Sequence, residues 1–457
     1  MRPQELVERG LALLGPDRGT VLVERSGTAN LRWANSSLTT NGLSVEQQVH
    51  VAVLPEVPGG TAAGSASGVV ASLADLAALV DRARAAALDS GPAEDVAPEV
   101  IAGPASNDWD DEPESTSPQE LTPVSDLLGV VLPDTSIDHF GYAEHSVTTS
   151  YLGTNAGVRL RHVQPQARFE LCGKSQGRTR SAWAGRAGQH FAEVDLASTP
   201  DEVRRGLAAQ ARVVDVQPGR RRVLLSPSAA ADLLIYLLWS AGAQDAAEGR
   251  SAFARPGGGT RVGEQLTPRP FWLRSDPRAR GVTCADHVQD TVSSPMSSPF
   301  DAGLPLAGTD WIAEGRLAAL VGTRHAAAVA GLPTTPLIDN LLAGVDGAAG
   351  SLDDVAQRIG DGLLVTCLWY IREVDARSLL LTGLTRDGVY VVRDGEVIGA
   401  CGNFRFNESP IAMLSRIADA GTPTGCLPRE WADWFTRAQV APLAIDDFNL
   451  STPSQAV

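Results

Sequence analysis

Two periods of apolar residues run along this chain, and each predicts its own elements. A spacing of three and four recurs at Leu73, Leu76, Leu79, Val80 and Ala83, which predicts a helix over residues 73–87. The same spacing returns at Ala230, Leu233, Leu234, Leu237, Leu238 and Ala241, behind Ser226 as cap and Pro227 at the first helical position. A further helix is predicted over residues 3–14. Another runs from Pro200 to about Val213, where Thr199-Pro200-Asp201-Glu202 reads as a capping box. Shorter β-rich runs fall at residues 20–24, 31–34 and 48–53, then on both sides of an Asn/Gly turn within 150–160, and at 164–171. Residues 223–225, 362–371 and 378–381 read as sheet strands leading into a hairpin. There Val389 to Val392 is followed by Asp394-Gly395, a dipeptide suited to a two-residue turn with positive φ, and Glu396 to Cys401 returns. Ser409-Pro410 then reads as a helix start.

These runs divide the chain into an N-terminal α/β domain (1–88), a linker (89–124), a central domain (125–214) and a β-rich C-terminal domain (215–457). The expected class is α+β, with N-terminal α/β units followed by the β-rich part. The linker has few large apolar groups and is expected to be a solvated loop, with Trp109 its one candidate for docking.

Charge narrows the function. The net charge is −16, and nine acidic residues with no basic one lie between Pro92 and Glu120. Such a surface repels phosphate backbones, so a nucleic-acid partner is not expected. The five cysteines are widely spaced without a CxxC pair, which fits a reducing compartment. The polar start, MRPQELVERG, has no apolar signal region, and the most apolar run, 229–243, contains Asp232 and is too short to cross a bilayer. A cytoplasmic protein without a membrane partner is expected.

The block TGLTRDGVYVVRDGEVIGACGNFRFNESP (382–410) resembles the C-terminal domain of the TldD/PmbA (TldE) proteins, a two-subunit zinc peptidase system once called a modulator of DNA gyrase. FDAGLP (300–305), EGRLAAL (314–320) and APLAIDDFN (441–449) extend the resemblance. So do Arg32-Trp33-Ala34-Asn35 with Leu38 and Asn41, and the 150–160 segment with the helix that follows it.

In the catalytic subunit of that family, the strand–Ser/Gly-Pro–helix segment carries His-Glu-x-x-x-His. Laid on this chain, the pattern puts Ile235 at the first His, Tyr236 at the Glu and Ser240 at the second His. A catalytic zinc takes three protein donors and keeps one position open. Isoleucine offers no lone pair, and tyrosine cannot serve as a carboxylate base. The family's third ligand is a cysteine near the C-terminus, and Cys426 in Thr424-Gly425-Cys426 occupies a similar place; one thiolate cannot hold zinc alone, so it reads first as a buried or loop cysteine, with a relic of that ligand as the alternative. The resemblance therefore implies a subunit with no catalytic residue and no metal of its own. Zinc is expected in a homologous TldD-type partner that cuts short or unfolded peptides, with the two chains forming a heterodimer.

Other constellations are weaker. His139 and His145, with Asp138 and Glu144 beside them, have a spacing that suits a metal but no second cluster, and read as a surface loop. His325 reads as a packed or half-exposed side chain, and Cys284-Ala285-Asp286-His287 has no oxyanion-hole turn nearby. Ser65 in GSASG reads as a flexible turn, and Gly257-Gly258-Gly259 as a loop with no lysine to hold phosphate. Two alternatives stand beside the leading one. The first is a self-sufficient hydrolase using residues such as Cys426 or His325. The second is a non-enzymatic protein-binding regulator.

Overall fold

The structure, a computed structural model, describes residues 1–454. It is α+β, as the mixed periods predict. Strands of residues 1–68 and 138–188 join in one antiparallel sheet, ordered Gly64–Gly68, Ser37–Leu54, Arg18–Ala34, Asp138–Thr154, Arg159–Ser175, Arg180–Gly188. The short runs at 20–24 and 31–34 are two ends of one long strand, paired from Thr20↔Thr154 to Trp33↔Gly141.

Parity along these strands decides which face is which. Val21, Val23, Ala29, Leu31 and Trp33 belong to the buried face, as do Ala143, Tyr151, Phe169 and Leu171. Helices Pro3–Leu14 and Leu73–Ser90 cover one end of that face. Thr122–Val131 and Thr199–Ala209 cover the other. The opposite parity, including Leu22, Leu152 and Leu160, packs towards Ala302 of the C-terminal part. The helix from Thr199 differs from its expectation. Its cap position is Ser198, whose hydroxyl bonds Glu202 at 3.3 Å, and it ends at Ala209.

The GSASG segment is an edge strand, not a flexible turn. The reason is steric. A Cβ on Gly64 would lie 2.1 Å from the Ala87 backbone nitrogen and 2.4 Å from the Ala83 carbonyl oxygen, so only glycine lets the helix come this close.

The linker does not float. Trp109 packs edge-on against Tyr151 at 5.7 Å. Gln4 donates to the carbonyls of Trp109 and Asp111 at 3.0 and 2.8 Å, and the Tyr151 hydroxyl donates to Asp111 at 2.7 Å. The nearly buried Arg161 guanidinium draws the segment in, donating to Asp108 at 2.6 Å and to the Glu112 carbonyl at 3.1 Å. A buried cation needs such partners, and the acidic composition supplies them.

Two sheets form the β-rich C-terminal part. One runs Arg316–Leu317, Thr309–Ala313, Phe271–Ser275, Leu341–Val345, Ala438–Val440, Thr424–Cys426. The larger has Gly219–Leu225, Gly362–Val365 and Leu443–Ser454 near its middle, with the hairpin Val389–Arg393/Glu396–Cys401 at one edge. The turn has φ of 51° at Asp394 and 81° at Gly395, as the dipeptide predicts. A single apolar core joins both sheets, and helix Pro227–Trp239 lies in it. Among the described residues no helix is long and apolar enough to cross a membrane.

Candidate functional site

The strand ending at Leu225 delivers the chain to Ser226. The Ser226 hydroxyl accepts from Ala229 N at 3.2 Å and donates to the Thr366 carbonyl at 2.6 Å, fixing where helix Pro227–Trp239 begins. Ile235 is fully buried in the core shared by the two sheets. Tyr236 is half-buried, with its ring 5.7 Å from that of Trp431. Trp239 packs edge-on against Trp431 at 5.1 Å and Phe435 at 6.1 Å, so an aromatic cluster lies alongside Tyr236. Ser240 falls just past the last helical residue, and its hydroxyl donates back to the Tyr236 carbonyl at 2.8 Å.

Cys426 lies near the start of this helix. Its sulfur is 3.6 Å from the Pro227 carbonyl and 3.8 Å from that of Ala438. Burial pushes the thiol up, and the nearby Asp232 carboxyl adds to it, so the thiolate a metal needs is disfavoured. Asp232 is the only carboxyl on the helix and is fully buried. Burial raises it well above the usual carboxylate range, while the Glu430 amide, donating at 3.1 Å, opposes this. The donor set at the zinc-motif positions is thus an aliphatic carbon, a phenol and a self-bonded hydroxyl. These residues do not fit a zinc ion.

The segment after Cys426 ties the helix to its surroundings. Trp431 Nε1 donates to the Asp232 carbonyl at 2.8 Å, and the Glu430 carboxylate accepts from the amides of Tyr370 and Ile371 at 2.9 and 3.0 Å. Arg429 is buried between the rings of Trp183 and Trp369, at 4.9 and 5.4 Å. It pairs with Asp387 and donates to Cys367 Sγ at 3.0 Å. Burial pushes the Asp387 carboxyl up, but the Arg429 charge and its hydrogen bonds outweigh that and hold it below the usual range. The other Asp387 oxygen accepts from Ser181 Oγ at 2.5 Å. Ser181 and Trp183 belong to the last strand of the N-terminal sheet, so this polar network fastens that sheet to the C-terminal part.

A cleft of about 570 Å³ opens elsewhere between the two parts. Glu24, Ser146, Thr148, Ser150, His162 and Gln164 line its sheet wall. On the other wall His287 Nδ1 meets Asp286 at 3.2 Å, and Gln289 bridges His287 Nε2 at 3.0 Å to Ser150 at 2.7 Å. Cys284 also lines the cleft, but burial pushes its thiol up to about 12, so it is not an activated nucleophile. Asp290, another wall residue, is raised to about 7 by burial, against the Ser298 amide bond at 3.2 Å.

The remaining candidates fall as follows. His325 is half-exposed on the short helix Arg324–Ala330. Gly257 to Gly259 lie in a loop with positive φ. His139 and His145 are not on a surface loop. They occupy inward positions of strand Asp138–Thr154 and are both buried. Sequence reasoning also missed what surrounds His145. Glu120 Oε2 is 3.9 Å from its Nε2, and His190 Nδ1 is 3.7 Å from the same carboxylate. The signal available was a histidine in the apolar phase of a strand.

The chain belongs to the TldD/PmbA family, since the family model described as the PmbA/TldA metallopeptidase C-terminal domain matches residues 218–452. Its fold is similar to TldE from Thermococcus kodakarensis, at 15% identity and a TM-score of 0.77, over 98% of this chain and 99% of that one. A protein of Thermotoga maritima MSB8, described as a proposed modulator of a DNA gyrase, is similar at 12% identity and a TM-score of 0.75, over 98% of this chain and 100% of that one. Another from Bacteroides thetaiotaomicron VPI-5482, described in the same way, has 11% identity and a TM-score of 0.75, over 98% of both chains. No curated protein matches the sequence.

Proposed function

We propose that this chain is the non-catalytic subunit of a heterodimeric zinc metallopeptidase of its family, acting on short or unfolded peptides. Its partner is a homologous chain with an intact His-Glu-x-x-x-His helix, which holds the catalytic zinc. The observation that carries the reading is the chemistry at Ile235, Tyr236 and Ser240, where a core side chain, an aromatic packing residue and a helix-end hydroxyl replace metal donors. Cys426, whose buried thiol faces the carbonyls of Pro227 and Ala438, supports it. The shared fold with TldE is consistent with it, and the role is argued from the site.

In this reading the chain contributes wall, access and stability to the partner's active site. The cleft between its two parts, lined by hydroxyls, amides and imidazoles, is its candidate for contact with peptide. The reading is tested by co-expression with a tagged homologue carrying the intact motif. The two chains should co-purify, and only the pair should hydrolyse peptide. Recovery of each chain alone would overturn it.

A further inference from the structure

We propose that Glu120, His145 and His190 bind one divalent transition-metal ion, zinc foremost, and so pin the end of the acidic linker to the N-terminal sheet. The three donors come from separate elements: the short turn Pro118–Leu121, the middle of strand Asp138–Thr154, and the segment before the turn Phe191–Glu193. One donor atom from each lies within 4.8 Å of the others. A tetrahedral zinc with ligands at about 2.0–2.1 Å holds its donors roughly 3.3 Å apart, so the two Glu120 pairs at 3.7 and 3.9 Å must close by about half an ångström and the two imidazole nitrogens, within 4.8 Å of each other, by at most about 1.5 Å. One carboxylate and two neutral imidazoles match a divalent ion in charge and in donor type.

The surroundings fit as well. Thr116 Oγ1 lies 2.6 Å from His145 Nδ1 and can accept that N–H, which leaves the Nε2 lone pair free for a metal. The Gln189 carbonyl, 3.2 Å from Nε2, is a further oxygen close to the ion. The imidazoles of His145 and His190 stack at 5.3 Å and 28°, and the Phe191 ring lies tilted beside His145 at 6.4 Å. Both Glu120 and His190 are part-exposed, at 39% and 43%, so an ion has an entry path. Without metal, His145 is satisfied by donating Nε2–H to Gln189 and accepting from Thr116; binding exchanges that tautomer.

This site shares no residue with helix Pro227–Trp239. Its failure would leave the proposed subunit role as it stands, and its success would revise only the expectation of a chain with no metal of its own. The test is titration of the chelator-stripped full chain with Zn²⁺ by calorimetry, repeated with Co²⁺ by absorption. We expect one equivalent, at least tenfold weaker binding in both His190→Ala and Glu120→Gln, and no thiolate–cobalt charge-transfer band. Circular dichroism checks that both variants, changed only at part-exposed side chains, stay folded. An absence of binding in the unaltered chain, unchanged binding in folded variants, or a thiolate band from a cysteine site would each overturn the proposal.

Discussion

Ser240 returns its hydroxyl to the carbonyl of Tyr236, at 2.8 Å, just past the end of helix Pro227–Trp239. The bond closes the helix end and engages the Ser240 hydroxyl with its own helix, while the Tyr236 phenol ring packs beside Trp431. Placing a histidine at Ile235 would not restore a metal centre. It would put an imidazole in a fully buried apolar site. Ile235→His should lower unfolding free energy by about 2–4 kcal/mol. Urea denaturation measures this, and unchanged stability would show that the helix is not the core element described here.

The Arg429–Asp387 pair holds the two parts of the molecule together. Asp387→Asn would leave the Arg429 charge buried between two tryptophans without its counter-ion. A loss of about 3–5 kcal/mol is expected. If the pair contributed nothing to the fastening of the sheet, the urea midpoint would not move.

Asp290 makes stability depend on pH. Its folded value is raised to about 7 from 3.8. The unfolded chain therefore gives up this proton first as pH rises, and the folded state loses stability between about pH 4 and 7. The stabilisation is fully present below 4 and gone above 7, and amounts to at most about 4 kcal/mol for this group. Asp290→Asn keeps an acceptor for the Ser298 amide and should flatten that slope. Thermal melts of both proteins from pH 4.5 to 8 compare the slopes, and parallel curves would exclude Asp290 as the source.

Gly64→Ala should destabilise by about 1–3 kcal/mol, because the new methyl meets the backbone at Ala83 and Ala87 and the helix must retreat. A melting temperature within error of the parent's would mean that the helix moves freely there.

Local signals are legible in the sequence. The Asp394-Gly395 turn and the Ser226 and Ser409 caps each depend on a few adjacent residues, and the structure has all three. Pairings over long separations were not legible. Nothing local in residues 18–34 tells that Thr20 faces Thr154, so residues 1–68 and 138–188 read as separate units although their strands share a sheet. The linker was misread because its anchor, Arg161, lies some fifty residues downstream of Asp108. For the same reason the two partners of His145 stayed hidden, since Glu120 and His190 meet it only through tertiary packing. The strand Gly219–Leu225 and the helix Pro227–Trp239 were legible because a β-rich run, a Ser-Pro cap and a three-four apolar spacing follow one another without a gap.

We propose that this polypeptide lacks peptidase chemistry of its own and works beside a homologue that has it. The most direct measurement is hydrolysis of unstructured peptides in zinc-supplemented buffer, by the chain alone, by the homologue and by the co-purified pair. No cleavage is expected from the isolated chain, and cleavage is expected from the pair, abolished when the homologue's motif glutamate is replaced and retained when Cys426 of this chain is changed to serine. Cleavage by the isolated chain, lost on replacing one of its own residues, would contradict it.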